Sequence, residues 1–388
     1  MILIPGWYSF EITGGGRTLI GLLKGIQKHS NGTLILAPSN WRDYDLSKGD
    51  INQCIYLSLV STPFQIRFLA FPAIIAFRFV QIFICHLRQL MTFAVKHDPL
   101  LILTHNDVIS VIFSLLFKQA FKNRKFIIIV PYYHVYPSLL QGGIGGLLTH
   151  LTLKFSKYID IVYTESSYNV TFLSKNYNIQ KERIFVAGVG IDYPKYRVNE
   201  TECIANKKYD AVFIGRVHPL KGIFDLVKAW KKVVECKPSR KLVIVGKGLL
   251  RHEEELKNLI KYLSLEDNVR LLGCIPEDQK IRVLHDSKLL IHPSYGECIP
   301  LVFLEAMSSR IPVLTYYLPA YRDIKHLIFY VNAGDIDALA HTALNLLEDY
   351  EDLARVKIIR AAEYASQHDW TIIAANLVSY LLQISQKT

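Results

Sequence analysis

The chain has 388 residues, which suggests two or three domains at roughly 150 residues each. Its 51% hydrophobic content is ample for packed cores, and its 20% charged content lies below the ~25% usual for soluble proteins, which argues against disorder and a coiled coil. The net charge is +11, with 19 Lys and Arg against 10 Asp and Glu in residues 1–195 and 26 against 24 in the remainder, so the excess sits in the first half and fits nucleic acid, an anionic membrane or a phosphorylated substrate.

Met1-Ile2-Leu3-Ile4 is apolar with no basic stretch before it and ends at Pro5-Gly6, so it reads as a buried strand and not as a signal peptide. A Gly-rich turn, a helix near Thr18–His29 and a strand at Thr33–Ala37 follow. Pro63–Lys96 reads as largely helical. Its most membrane-like part, Phe68 to Cys85, is broken by Pro72 and Arg78. An Arg near the centre of a span costs roughly 2.5–3.5 kcal/mol, so a helix packed on a sheet fits better than a spanning one. Leu100–Thr104, Phe126–Val130 and Ile159–Thr164 are further apolar strands. Strands alternating with helical stretches predict a parallel sheet covered by helices on both faces.

Phe185-Val186-Ala187-Gly188-Val189-Gly190-Ile191-Asp192 is a strand running into a turn, and residues 193–209 are polar with Pro194 near their start. A first domain over 1–192, a linker over 193–209 and a second domain over 210–368 follow. In the second domain, strands are expected at Ala211–Ile214, Lys241–Val245, Val269–Leu272, Leu289–His292 and Val313–Thr315. Helices are expected at Phe224–Glu235, His252–Leu263, Asp278–His285, Val302–Ser308 and Ile336–Leu347. Trp370–Ile384 is apolar at helical spacing, and the tail 369–388 is expected to pack back toward the first domain. Two doubly wound units facing each other would leave a cleft at the C-terminal ends of their strands. The six cysteines (Cys54, Cys85, Cys203, Cys236, Cys274 and Cys298) include no C-x-x-C pair, so reduced thiols and a cytoplasmic setting are expected.

Three segments carry chemistry. Gly14-Gly15-Gly16 follows the first strand and precedes a helix, where glycines admit an anion to backbone N–H donors; a plain flexible turn explains it equally. Gly215-Arg216-Val217-His218-Pro219-Leu220-Lys221-Gly222 lies where the second domain's first strand meets its first helix. Arg216 as a fork and Lys221 as a point charge suit a diphosphate; the alternative is a pair of solvated surface charges. The third segment runs from Pro293 to Met307, with Glu297 in a loop and Glu305 about two turns into a helix on a strip otherwise formed by Val302, Leu304 and Met307. A carboxylate there needs hydrogen-bond donors, which the vicinal hydroxyls of a ribose supply and a structural ion pair would supply equally. The helix start near Ile299 and Leu301 offers N–H groups to an anion, while Pro300 has none.

In this order, with the V-G-x-G turn Val245-Gly246-Lys247-Gly248 and the pattern P-S-x-x-E-x7-E-A-M, these segments resemble the retaining glycosyltransferases of family four. The resemblance spans nearly the whole chain. It implies an α/β GT-B fold of two Rossmann-like doubly wound domains facing across a cleft. It implies that Glu297 contacts hydroxyls of a donor sugar and Glu305 the ribose of its nucleotide. Arg216 and Lys221 would hold the diphosphate as it leaves. Gly15, Gly16 and Gly246 would bring backbone to the donor, with Ile299 and Leu301 offering N–H groups. His134, after the strand at Phe126–Val130, matches the family's cleft histidine, although Tyr132-Tyr133-His134 sits slightly past the usual strand end. The sequence departs from the pattern at Ile311–Pro319, which lacks paired glycines and an acid, and at Cys298 and Pro300, which replace glycines. Those departures bear on the identity of the sugar.

The resemblance further implies no cofactor and no metal, with a nucleotide-diphosphate sugar as donor substrate. Of the two D-x-D strings, Asp43-Tyr44-Asp45 lies in a loop outside the donor motifs and Asp335-Ile336-Asp337 reads as a helix cap. The acceptor, a glycan or a lipid-linked sugar, would lie against the first domain. That domain carries the apolar stretch Phe64 to Val95 with Arg67, Arg78 and Arg88, and the basic cluster Lys118, Lys122, Arg124 and Lys125. Such a surface fits peripheral contact with the cytoplasmic face of a membrane; a core helix with solvated charges fits it equally. Gln141-Gly142-Gly143-Ile144-Gly145-Gly146 reads either as a mobile lid or as a simple connection. The competing assignment is a GT-B-like protein that binds a nucleotide sugar as a partner subunit without transferring it. No nucleic-acid recognition module is visible, so nucleic acid is not an expected partner.

Overall fold

The computed structural model describes residues 2–4, 34–38, 53–57, 100–104, 108–120, 126–132, 143–198, 207–348 and 350–387. They divide into two compact units, residues 1–187 with 373–388 and residues 188–372.

The first unit is built on strands β1 (Ile2–Ile4), β2 (Leu34–Pro38), β3 (Gln53–Leu57), β4 (Leu100–Thr104), β5 (Phe126–Tyr132), β6 (Ile161–Thr164) and β7 (Ile184–Val186). They form one sheet in the order β3-β2-β1-β4-β5-β6-β7. Every pairing is parallel; Ile2 sits opposite Leu34 on one side and Ile102 on the other. Reversal of strand order at β1 is the doubly wound pattern. All four residues of β6 are buried, as expected for a strand covered on both faces. Helices α1 (Val108–Ala120), α2 (Gly143–Ser156) and α3 (Ser167–Tyr177) belong to this unit.

Helix α2 corrects the reading of the Gly-rich stretch, since its first turn includes Gly143, Gly145 and Gly146. The buried face downstream, with Thr152, Leu153 and Ser156, anchors it. The Thr152 and Ser156 hydroxyls donate to the carbonyls four residues back, each at 2.8 Å, so burial leaves neither unsatisfied. Lys118, the described member of the basic cluster, is paired with Asp160 at 2.6 Å. The helix near Thr18–His29, the stretch Pro63–Lys96, and Gly15, Gly16, His134, Lys122, Arg124 and Lys125 lie outside the described residues.

The second unit carries strands β8 (Tyr209–Ile214), β9 (Leu242–Val245), β10 (Val269–Gly273), β11 (Ser287–His292), β12 (Val313–Tyr316) and β13 (Phe329–Val331). All pairings are again parallel, in the order β10-β9-β8-β11-β12-β13. Its helices are α4 (Tyr193–Tyr196), α5 (Ile223–Cys236), α6 (Leu250–Tyr262), α7 (Glu277–His285), α8 (Leu301–Ser308), α9 (Ile336–Glu348) and α10 (Tyr350–Ser366). Helix α5 places Ile223, Leu226, Val227, Trp230 and Val233 on one stripe, each essentially inaccessible, and that stripe fills the core against β8 and β9. Asp335 caps α9 by accepting from the Ala338 amide at 2.9 Å, and Asp337 pairs with Lys232 at 2.7 Å.

The segment expected as a linker begins inside this unit. Helix α4 buries Tyr196, and Ile191 bridges to Asp369, its amide donating to the His368 carbonyl at 2.9 Å and its carbonyl accepting from the Trp370 amide at 3.1 Å. A single aromatic residue between Lys195 and Arg197 hid the packing. The last helix, α11 (Trp370–Lys387), groups with the first unit from Ile373 onward. There Tyr380 stacks on Phe185 with ring centroids 4.6 Å apart and donates to the Glu182 carbonyl at 2.9 Å.

Candidate active site

Three loops at the C-terminal ends of β8, β9 and β11 build the site of the second unit. The Gly215 amide donates to the Val245 carbonyl and the Val217 amide to the Lys247 carbonyl, each at 3.0 Å. These bonds lay the loop after β8 directly on the loop after β9. The approach leaves no room for a side chain: a Cβ at Gly246, whose φ is +135°, would fall 1.8 Å from the Gly215 oxygen. The V-G-x-G turn is thus a packing device that fixes the backbone beside Arg216.

The loop after β11 is tied to the loop after β8 in the same way. The Tyr295 amide donates to the Leu220 carbonyl at 2.9 Å, and the Ser294 hydroxyl to the same oxygen at 3.0 Å. Gly222, at φ +65°, would put a Cβ 1.8 Å from the Pro293 oxygen. The register set by these contacts brings the Lys221 amine onto the Glu297 carboxylate.

Both members of that pair are largely buried, with side-chain exposures of 16% for Lys221 and 8% for Glu297. Burial pushes the Lys221 amine down to about 8, and the nearby Arg216 guanidinium pushes the same way. Arg216 itself is exposed. His292 lies against the same oxygen of Glu297, its Nε2 3.4 Å from Oε1. It is stacked on Phe213 with centroids 5.3 Å apart, edge-on to Phe303 at 5.8 Å, and held down to about 3, first by burial and then by Lys221. The imidazole is therefore neutral, so the countercharge of Glu297 is Lys221 and not His292. His218, shifted down mainly by burial and then by Arg216, accepts the Leu220 amide on Nδ1 at 3.1 Å and shapes the turn that carries Lys221.

Helix α8 begins at Leu301, directly after Pro300. Its first-turn amides have no partner within the helix, apart from that of Phe303, which reaches the Pro300 carbonyl at 3.0 Å. Ile299 is buried at its mouth. Glu305 lies one turn into the helix, not two, and is 4% exposed. It joins a polar cluster separate from the Lys221–Glu297 pair. Lys280 donates to its Oε1 at 2.7 Å and the Tyr196 hydroxyl to the same oxygen at 3.1 Å. The ion pair left open as an alternative for Glu305 is present, with Lys280 as its partner.

The structure thus unites Lys221 with Glu297, sets Arg216 beside them, and sets Gly246 against the loop that carries both cations. Glu305 is bound instead by Lys280 and Tyr196. Lys280, Tyr196, His292 and Asp225 escaped the sequence reading. Asp225 accepts the phenols of Tyr295 and Tyr316, the latter at 3.1 Å, and so tethers the Glu297 loop to the first turn of α5. One signal was available for Lys280. It lies four residues before the buried Leu284, on the inward stripe of α7.

Residues 198–363 match the family described as glycosyl transferases group 1. They form a glycosyl transferases group 1 domain. An uncharacterized glycosyltransferase of Methanocaldococcus jannaschii is 28% identical over 233 residues, covering 57% of this chain and 56% of the relative. A phosphatidyl-myo-inositol mannosyltransferase of Mycobacterium leprae is 31% identical over 176 residues, covering 43% and 44%. The chain thus spans about half the length of the curated relatives it matches. The crystal structure of Anabaena HepE in complex with UDP superposes with a TM-score of 0.75 at 19% identity, over 98% of this chain and 99% of that one. HepE has also been solved with UDP-glucose. At that identity the likeness shows the fold, which is GT-B, with two Rossmann-like parallel-sheet units. The group 1 domain contains every described donor-motif residue, from Arg216 to Glu305. Among the described residues no helix is long and apolar enough to cross a membrane.

Proposed function

We propose that the chain is a retaining, metal-independent glycosyltransferase. In this reaction the bond between the anomeric carbon and the β-phosphate oxygen of a nucleotide-diphosphate sugar breaks. A bond from the same carbon to an acceptor hydroxyl oxygen forms on the same face, and the acceptor proton passes to the departing phosphate. Glycosidic cleavage runs through an oxocarbenium-like state, so the work of the site is to stabilise negative charge on the leaving diphosphate. The observation that carries the reading is the Lys221–Glu297 contact beside Arg216, on loops locked together by close glycine packing.

Each group then has a part. Arg216 and Lys221 hold the diphosphate and take the place of a divalent ion. Glu297 orients hydroxyls of the sugar once the phosphate competes for Lys221. Glu305 receives the ribose hydroxyls, and the backbone near Gly246, Ile299 and Leu301 lines the donor. Gly15, Gly16 and His134 would contribute to donor binding. The acceptor is a glycan or a lipid-linked sugar, and the basic first unit rests on the cytoplasmic face of a membrane while engaging it.

The test is a thermal-shift panel of nucleotide sugars, followed by assay of nucleoside diphosphate release with and without a chelator. Uridine nucleotides head the panel, because HepE was solved with UDP and UDP-glucose. A ligand at about 100 times its dissociation constant adds about 2.7 kcal/mol of stability, which is easily read. Release that survives the chelator, and a product whose anomeric proton coupling matches that of the donor, support the proposal. Binding without release would point instead to a partner subunit. Flotation with vesicles containing anionic lipid, absent with neutral vesicles, supports the membrane contact; no flotation with either rejects it.

A further inference from the structure

The cluster around Glu305 is more elaborate than burial of one carboxylate requires. Lys280 is itself 5% exposed and reaches two carboxylates, Glu305 at 2.7 Å and Glu277 at 3.1 Å. Its ammonium lies over the Tyr196 ring, 5.0 Å from the centroid. The Tyr196 hydroxyl contacts both Glu277 and Glu305. Tyr196 is clamped in turn through its carbonyl, which accepts from the Ser309 hydroxyl at 3.0 Å and lies 3.1 Å from His285 Nε2. Three elements, α4, α7 and α8, therefore meet on one side chain of α8.

Two groups from different elements converge on the same oxygen, Oε1 of Glu305: the Lys280 ammonium donates to it, and the single Tyr196 hydroxyl proton is shared between it and Glu277. One contact would leave the carboxylate free to rotate; two set its plane. An ammonium at 2.7 Å also pairs it in a nearly inaccessible site, where an unpaired carboxylate is costly. A carboxylate of fixed orientation is what discriminates vicinal hydroxyls from hydrogens, because its acceptor oxygens are preset for the hydroxyl donors.

We infer that Lys280 and Tyr196 are positioning residues that hold Glu305 for recognition of the ribose hydroxyls of the donor nucleotide. The inference rests on Glu305 as the ribose acceptor. The experiment compares binding of UDP with that of its 2′,3′-dideoxy analogue, with the GDP and ADP pairs run in parallel, in the full chain. The wild type is expected to prefer the ribonucleotide by about tenfold or more. Glu305→Gln tests the underlying reading, and retention of the full preference overturns it and this inference together. If Glu305→Gln loses the preference, Lys280→Met decides the inference alone. A preference lowered at least about threefold supports it, while a preference equal to wild type overturns it and leaves the ribose reading standing. A role confined to stability would lower the melting temperature without moving that ratio. Should Lys280→Met fail to fold, Tyr196→Phe decides on the same criterion, since it keeps the ring under the ammonium and removes only the hydroxyl.

Discussion

Lys221 titrates where few lysines do. Its amine is pushed down to about 8, first by burial and then by Arg216, against an ordinary lysine value of about 10.4. About nine in ten molecules then carry the charge at pH 7 and about one in ten at pH 9. The ammonium is the form that grips a diphosphate. kcat/KM for the donor, which reports the free enzyme, should fall about tenfold between those two values, along a limb centred near the Lys221 value. Other groups at the site do not mimic this limb. His292 is held near 3 and His218 lies below the usual histidine value, so neither gains or loses a proton there. A sugar-bearing diphosphate has no proton to lose in that range. The assay is initial rate against donor concentration from pH 6 to pH 10 at constant ionic strength, in wild type and Lys221→Arg. The guanidinium of the variant, with a pKa above about 12, should flatten the limb even if it lowers the plateau. A wild-type profile flat to pH 10, or a limb that survives in Lys221→Arg, would refute the assignment of Lys221 to the diphosphate.

Arg216→Ala and Lys221→Ala should each lower turnover at least about 100-fold, near the 2.7 kcal/mol of one lost preorganised donor; near-normal turnover by both rejects the leaving-group role. Gly222→Ala and Gly273→Ala start from nearly the same φ, +65° and +66°, but only the first meets backbone, with Pro293 O at 1.8 Å against a Lys247 carbon at 3.7 Å. Denaturant melts should therefore find Gly222→Ala the more destabilising by about 1–3 kcal/mol, and equal losses would show that conformation alone matters there. Trp230→Ala should cost about 3–5 kcal/mol by the same measurement, because the ring is fully enclosed in the core under β8 and β9; a loss under 1 kcal/mol would mean that the site collapses on itself.

The second unit was legible wherever large aliphatic residues recur at a regular period. Leu242–Val245 and the stripe Ile223 to Val233 on α5 are both plain in the sequence and present in the structure. Helix α10 was missed because its enclosed side chains are small, namely Ala361, Ala362 and Ala365, set among Arg355, Lys357 and Arg360. Strand β13 escaped because it has three residues and pairs only with β12 at the sheet edge. The glycines at the start of α2 were misread because glycine marks turns more often than helix starts. Here the face downstream of them supplies the packing that propensity does not.

The two acid–base pairs show what kind of site information a sequence holds. Glu297 and Lys221 were recognised because each lies in a compact local pattern, although their contact joins loops 76 positions apart. Lys280 and Tyr196 lie 25 and 109 positions from Glu305 and belong to no local pattern; only the packing of α4, α7 and α8 brings them together. The two pairs also differ mechanically. Lys221 sits on a loop, where an incoming phosphate can compete for its ammonium and release Glu297 to the sugar. Lys280 and Glu305 sit on helices, with side-chain exposures of 6% and 5%, and their geometry is set before any ligand arrives. The proposed donor site thus combines one exchangeable ion pair at the reacting end with one fixed pair at the nucleoside end. Exchange belongs where charge moves during the reaction, and rigidity where a hydroxyl must be told from a hydrogen.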